Sequence, residues 1–96
     1  MTASRNNKTL AGLSAQSLAF AEEFVPAADD VRQARESALL MGAPAPSNGA
    51  CTALTFLTRA LDAHAVVEVG TGTGVTGLAL FAGMAADGIL TSIDAE

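Results

Sequence analysis

Apolar residues recur at helical spacing through the first two thirds of the chain and then give way to short β-branched runs. Leu10, Leu13, Phe20 and Phe24 share one helical face that Pro26 ends, which predicts a helix over residues 9–24. Val31, Ala34, Ala38 and Met41 recur at intervals of three and four behind Asp29 and Asp30, predicting a second helix over 28–41 with Gly42 as its stop. Pro44 and Pro46 enforce an extended connection. Ser47 or Asn48 then caps a third helix whose expected inner face is Ala50, Leu54, Leu57 and Leu61.

At Ala65 the pattern changes to Ala-Val-Val-Glu-Val, a buried strand that runs into the glycines Gly70, Gly72, Gly74 and Gly77. Val75 to Ala86 is almost uncharged and predicts a helix covered on most sides, with Asp87-Gly88 as its stop. Ile89 to Ile93 reads as a second strand that delivers Asp94 at its carboxyl end. The expected fold class is α/β, with N-terminal helices followed by the first β-α-β unit of a Rossmann-like sheet that this chain does not complete. The expected divisions are a disordered N-terminus at 1–8, a helical region at 9–63 and the start of a nucleoside-binding domain at 64–96. A doubly wound sheet needs about five to seven strands, so the chain is expected to be the N-terminal part of a longer protein.

Composition narrows the classes of function. The 96 residues carry 5 basic and 10 acidic side chains, a net charge of -5, and Arg5, Lys8, Arg32, Arg35 and Arg59 are scattered. Neither a nucleic acid nor an anionic membrane is expected as a partner. Alanine makes up much of the apolar half of the chain, so a self-contained core is expected to be thin. The single cysteine, Cys51, forms no internal disulfide, and no Cys/His spacing fits zinc, which makes a reducing, cytoplasmic setting the default. Ser14, Gln16 and Ser17 interrupt the apolar run from Leu10 to Phe20, arguing against a signal peptide, and no apolar stretch is long enough to span a membrane.

The candidate chemistry lies in the segment from Val66 to Thr76, together with Asp94 at the end of the next expected strand. A strand feeding a glycine-rich turn and then a helix presents backbone N–H groups and a positive helix end to a ligand. An acid ending the next strand can accept both hydroxyls of a ribose. A turn that serves only packing is the plain alternative. Gly72-Thr73-Gly74-Val75-Thr76-Gly77 is a literal G-x-G-x-x-G, which alone is a weak sign of NAD. In that register Glu68 stands near a pyrophosphate, and like charges ~5 Å apart repel by roughly 3 kcal/mol at an effective dielectric of ~20. The ammonium and sulfonium of S-adenosyl-L-methionine suit a carboxylate better. A P-loop is excluded because no Gly-Lys-Ser/Thr follows the turn.

Glu68-Val69-Gly70-Thr71-Gly72-Thr73-Gly74, with Asp87-Gly88-Ile89-Leu90-Thr91-Ser92-Ile93-Asp94, resembles the first two motifs of class I S-adenosylmethionine-dependent O-methyltransferases of the catechol and caffeoyl-CoA type. The helical lead-in and Pro46-Ser47-Asn48-Gly49 extend the resemblance over residues 25–96. It implies that Glu68, Gly70, Thr71 and Gly72 line the methionine end of the cofactor and that Gly74 also belongs to the cofactor-binding set. It also implies that Thr76 bonds near the carboxylate, that Asp94 takes the ribose, that Ala95 lies beside the adenine and that Pro44 touches the cofactor. Gly42 and Ser47 depart from the family's usual Met and acidic residue. The implied activity is methyl transfer to a hydroxyl of a small molecule. A divalent metal, the catalytic groups and the acceptor pocket are implied to come from later parts of such proteins, leaving this stretch inactive alone.

The other polar residues carry plainer expectations. His64 precedes the first strand without an evident partner, Cys51 reads as a small core or rim residue, and Asp29, Asp30, Glu36, Glu22 and Glu23 read as solvated helix faces. Glu68 has a structural alternative as an acceptor of backbone N–H bonds. Competing readings of the whole are an NAD-binding segment of an oxidoreductase and a non-enzymatic helical module that self-associates. On any reading, the incomplete sheet and the apolar helix 75–86 favour a homo-oligomer.

Overall fold

The structure, a computed structural model, describes residues 14–95. The elements run α1 (Ala15–Phe24), α2 (Asp29–Met41), α3 (Asn48–Ala60), β1 (Ala65–Val69), α4 (Val75–Gly83) and β2 (Ile89–Ile93). The expected disordered segment 1–8 and the first residues of the helix expected over 9–24 lie outside the described residues. Within them, Ser14 caps α1 by accepting from the N–H of Ser17. Ser47 caps α3 in the same way, from the N–H of Ala50, and Gly42 ends α2 in the left-handed conformation that a side chain resists.

β1 and β2 pair in parallel, with Ala65 opposite Ile89 and Val69 opposite Ile93, and α4 supplies the connection. The sheet and helix expected from residue 65 onward are therefore present, although α4 ends at Gly83 and not at Ala86. Past Gly83 the chain is drawn into tertiary bonds: Met84 is extended and the N–H of Ala85 donates to the carbonyl of Ala63 at 2.9 Å. Asp87-Gly88 accordingly belongs to the turn before β2.

The core is small. Val31, Cys51, Val75 and Ala79 pack together with half-buried Ala27, Ala34, Leu54 and Leu78, joining α2, α3 and α4. The inner face of α3 is not the one expected: Cys51 and Thr58 are buried, whereas Ala50, Leu57 and Leu61 are exposed and Leu54 is half-buried. A polar residue wins a core position here because α4 comes close enough to offer its carbonyls. Thr55 Oγ1 donates to Ala79 O at 2.7 Å, and Thr58 Oγ1 lies 3.4 Å from Leu80 O. Gly83 permits that approach, since a Cβ there would overlap both Thr58 Oγ1 and Thr55 O.

Other expected inner positions also face outward. Phe20 and Phe24 meet at a ring-centroid distance of 5.4 Å, tilted by 42°, but are exposed, no residue of α1 is buried, and Met41 lies beyond the contact of α2 with the core. On the sheet, Val67, Val69, Ile89 and Ile93 are exposed. These apolar surfaces have no cover among the described residues.

Candidate functional site

The parallel register brings the carboxyl ends of both strands to one place. Beyond Val69 the ladder gains one more bond, from Gly70 N–H to Ile93 O at 2.7 Å, and the chain then turns sharply. Gly72 and Gly74 have φ of 55° and 97°, values disfavoured for residues with a Cβ, and the N–H of Gly74 closes the turn onto Thr71 O at 3.1 Å. Gly74 is also the N-cap of α4 and supplies no side-chain cap, so the first-turn N–H groups of that helix face the site without one.

One hydrogen bond ties the turn to α2, and the segment after α2 lies alongside the turn. Thr73 Oγ1 donates to Ala34 O at 2.7 Å, and Pro44 O lies 3.9 Å from where a Cβ on Gly72 would sit. Arg35 donates to Pro46 O, which fixes the proline segment beside the turn. Pro44, remote in the sequence, thus stands against the glycine turn, the place where the resemblance implies the cofactor.

Asp94 follows β2, where its carboxylate Oδ2 accepts from the N–H of Thr71 at 3.0 Å. Glu68 lies opposite Ser92 in the register and is buried at 8% exposure. Its Oε1 accepts from Ser92 Oγ at 2.8 Å, while its buried Oε2 has no partner among the described residues. Ser92 Oγ also bonds Thr71 Oγ1. Gly77 makes room above this group, because a Cβ there would lie 3.2 Å from Glu68 Oε1. Glu68 is therefore held by a hydroxyl and not by the backbone N–H bonds of its structural alternative.

Of the candidate residues, Pro44, Glu68, Gly70, Thr71, Gly72, Gly74 and Asp94 come together at this end of the sheet. Thr76 lies in the first turn of α4 and Ala95 directly follows Asp94. The structure adds Ser92 and Thr73 to them. Ser92 is accessible from sequence in principle, since the register that pairs Ala65 with Ile89 also pairs Glu68 with Ser92.

The opposite end of the strands is built differently. His64 has partners that the sequence does not reveal: Nδ1 lies 3.1 Å from Asp87 Oδ1 and Nε2 lies 3.4 Å from Asp62 Oδ2. The hydrogen bond with Asp62, then the charge of Asp87, raise its pKa above the ordinary 6.5. Glu22 is not a merely solvated residue either. Its carboxylate accepts from the N–H groups of Asn48 at 2.8 Å and Gly49 at 2.7 Å, so it completes the N-terminus of α3. The Gly49 and Asn48 bonds hold its pKa below the ordinary 4.5. Cys51 is buried as expected, with Arg35 Nη2 3.6 Å from its sulfur.

A cavity of about 180 Å³ opens between the α1–α2 connection, α3 and α4, lined by Val31, Cys51, Thr55 and Ala79, away from the glycine turn. Among the described residues no group of three or more His, Cys, Asp or Glu side chains is placed to hold a metal ion, and no helix is long and apolar enough to cross a membrane.

Comparison with known proteins places this geometry. No protein-family model matches the chain. A protein of Mycobacterium sp. strain KMS, named "Putative O-methyltransferase", is 48% identical over 79 residues, covering 82% of this chain and 36% of that protein. One of the same name from Mycolicibacterium vanbaalenii is 52% identical over 66 residues, covering 69% and 29%. The chain spans about a third of the length of these curated relatives. A solved structure from Corynebacterium glutamicum superposes with a TM-score of 0.68 at 30% identity, over 84% of this chain and 39% of that one. The O-methyltransferase TomG of Streptomyces achromogenes, solved in complex with SAM, superposes with a TM-score of 0.69 at 23% identity, over 78% and 34%. The architecture is that of an incomplete α/β, Rossmann-like methyltransferase fold.

Proposed function

We propose, from the kinship of this chain with bacterial O-methyltransferases, that it forms the cofactor-binding part of an S-adenosylmethionine-dependent enzyme that methylates a hydroxyl of a small molecule. The observation that carries this reading is the buried Glu68 carboxylate, one oxygen of which has no partner among the described residues, beside an uncapped helix N-terminus and a strand-end acid. A buried polar oxygen without a partner is costly, so the site suits an incoming donor, and a cationic one best.

The residues present fit the cofactor. Glu68 would take the ammonium of the methionine end, and the first-turn N–H groups of α4 with Thr76 would take its carboxylate. Asp94 would accept the ribose hydroxyls, with Ala95 beside the base and Pro44 closing over the turn. When bound, the cofactor supplies an electrophilic methyl on sulfonium. This chain's share is to bind and orient it, so that an acceptor oxygen can approach in line with the carbon–sulfur bond. The acceptor pocket, the catalytic groups and any divalent metal belong, on this proposal, to the part of the protein that corresponds to the rest of the relatives. Helices α1 to α3 then act as a lead-in to a cofactor domain that starts at 64.

Calorimetric titration of the protein carrying these residues with S-adenosylhomocysteine and with NAD tests the reading. Tighter binding of S-adenosylhomocysteine is expected, and tighter binding of NAD would overturn it. We also propose a cytoplasmic setting, and self-association of the 96-residue chain through the uncovered apolar faces of the sheet and helices. Sedimentation should show a dimer or larger species, and a stable monomer would refute the association.

A further inference from the structure

We propose that Ser92 is a positioning residue for this site: its hydroxyl occupies one oxygen of Glu68 so that the other is kept for the ammonium group of the ligand. The inference rests on the cofactor reading above and adds to it a residue outside the expected set. Ser92 and Glu68 face each other across the parallel pair, and Ser92 Oγ donates to Glu68 Oε1 at 2.8 Å. A serine hydroxyl has one proton to give. With that proton on Glu68, the bond between Ser92 and Thr71 must run from Thr71 Oγ1 to Ser92 Oγ.

Thr71 in turn donates its backbone N–H to Asp94 Oδ2. Ser92 thus links Glu68 to the side chain of Thr71, whose backbone N–H in turn holds Asp94. On the far side of Glu68, α4 approaches so closely that Gly77 has no room for a Cβ without pressing on Oε1. Oε1 is thus held between Ser92 and α4, and Oε2 is the buried oxygen that remains without a partner among the described residues. Without the hydroxyl, no hydrogen bond among the described residues would hold Oε1 in preference to Oε2.

The test compares two ligands on the whole protein that carries these residues: S-adenosylhomocysteine, which has the amino-acid end, and 5′-methylthioadenosine, which lacks it. Ser92→Ala should weaken S-adenosylhomocysteine about five- to tenfold while leaving 5′-methylthioadenosine within about twofold. Ser92→Thr, which keeps the hydroxyl and suits a strand, should restore binding. In a Glu68→Gln background Ser92→Ala should cost nothing further, because its effect runs through the carboxylate. Unchanged binding of S-adenosylhomocysteine, equal weakening of both ligands, or full additivity with Glu68→Gln would each overturn the role of Ser92. If Ser92→Ala lowers the folded fraction, Ser92→Thr decides: weak binding by a folded Thr variant also overturns it. A wild-type protein that binds no S-adenosylhomocysteine would instead remove the cofactor reading, and this inference with it.

Discussion

The two ends of the β1–β2 pair solve opposite problems. At the amino ends His64 stands between Asp62 and Asp87, Ala85 N–H meets Ala63 O, and Ile89 N–H meets His64 O at 2.8 Å. The polar groups named there find partners within the chain. At the carboxyl ends hydrogen-bonding capacity is left over: Glu68 Oε2 has no partner among the described residues, and Gly74 gives α4 no side-chain cap. Unused polar capacity in a partly buried place works against stability, which is why it marks the end where a ligand is expected. Substitutions at the amino ends should therefore cost stability, and those at the carboxyl ends should cost mainly affinity.

The hardest test of that division is Gly83→Ala, at the end of α4 remote from the glycine turn. Its methyl would overlap the Thr55 carbonyl, and backbone on both sides leaves little room to yield. A loss of about 3 kcal/mol is expected in denaturant unfolding, with ligand affinity of the surviving folded protein unchanged. Asp94→Ala should do the reverse. On the role proposed for Asp94, each charge-assisted bond to a ribose hydroxyl is worth about 1.5–3 kcal/mol, so calorimetry should show at least a tenfold loss of S-adenosylhomocysteine affinity, with only a small fall in melting temperature from the lost exposed bond to Thr71 N–H.

Glu68→Gln should weaken the same ligand about tenfold, since the amide keeps the shape and loses the charge. A lower melting temperature with unchanged affinity would instead assign Glu68 to stability and blur the division. The smallest effect belongs to His64. Its folded pKa is raised, so its contribution is fully present below about 6.5, the unfolded value, and is lost as pH rises through the higher folded value. Because the cluster is exposed, only a slight decline in melting temperature is expected as pH rises above about 6.5, absent in His64→Gln.

The same contrast explains what the sequence made legible. The glycine turn, both strands and Asp94 could be read because their signals are local: β-branched runs, clustered glycines and an acid closing the second run. Glu22 and the partnership of His64 with Asp87 could not, because each is defined by a group far away along the chain, and Ser92 becomes readable only once the strand register is fixed. The inner face of α3 misled for another reason. Leu57 and Leu61 dominate its apolar stripe, yet a glycine-rich neighbour approaches so closely that the small residues Cys51 and Thr58 take the interior. Hydrophobic periodicity ranks side chains by transfer from water and is blind to how near the facing backbone can come.

The fixed register between the paired strands makes the chain unequally tolerant of changes in length. An extra residue near Ala86 falls in a turn, where added loop costs little, and leaves Ser92 and Asp94 in place. The same residue inserted between Ser92 and Ile93 sits inside a strand whose side chains alternate, so either the residues before it or those after it must change face. One choice takes Ser92 from Glu68 and the other turns Asp94 away from Thr71. Homologues that differ in length across this region should therefore carry their insertions between Met84 and Gly88 and none within β2.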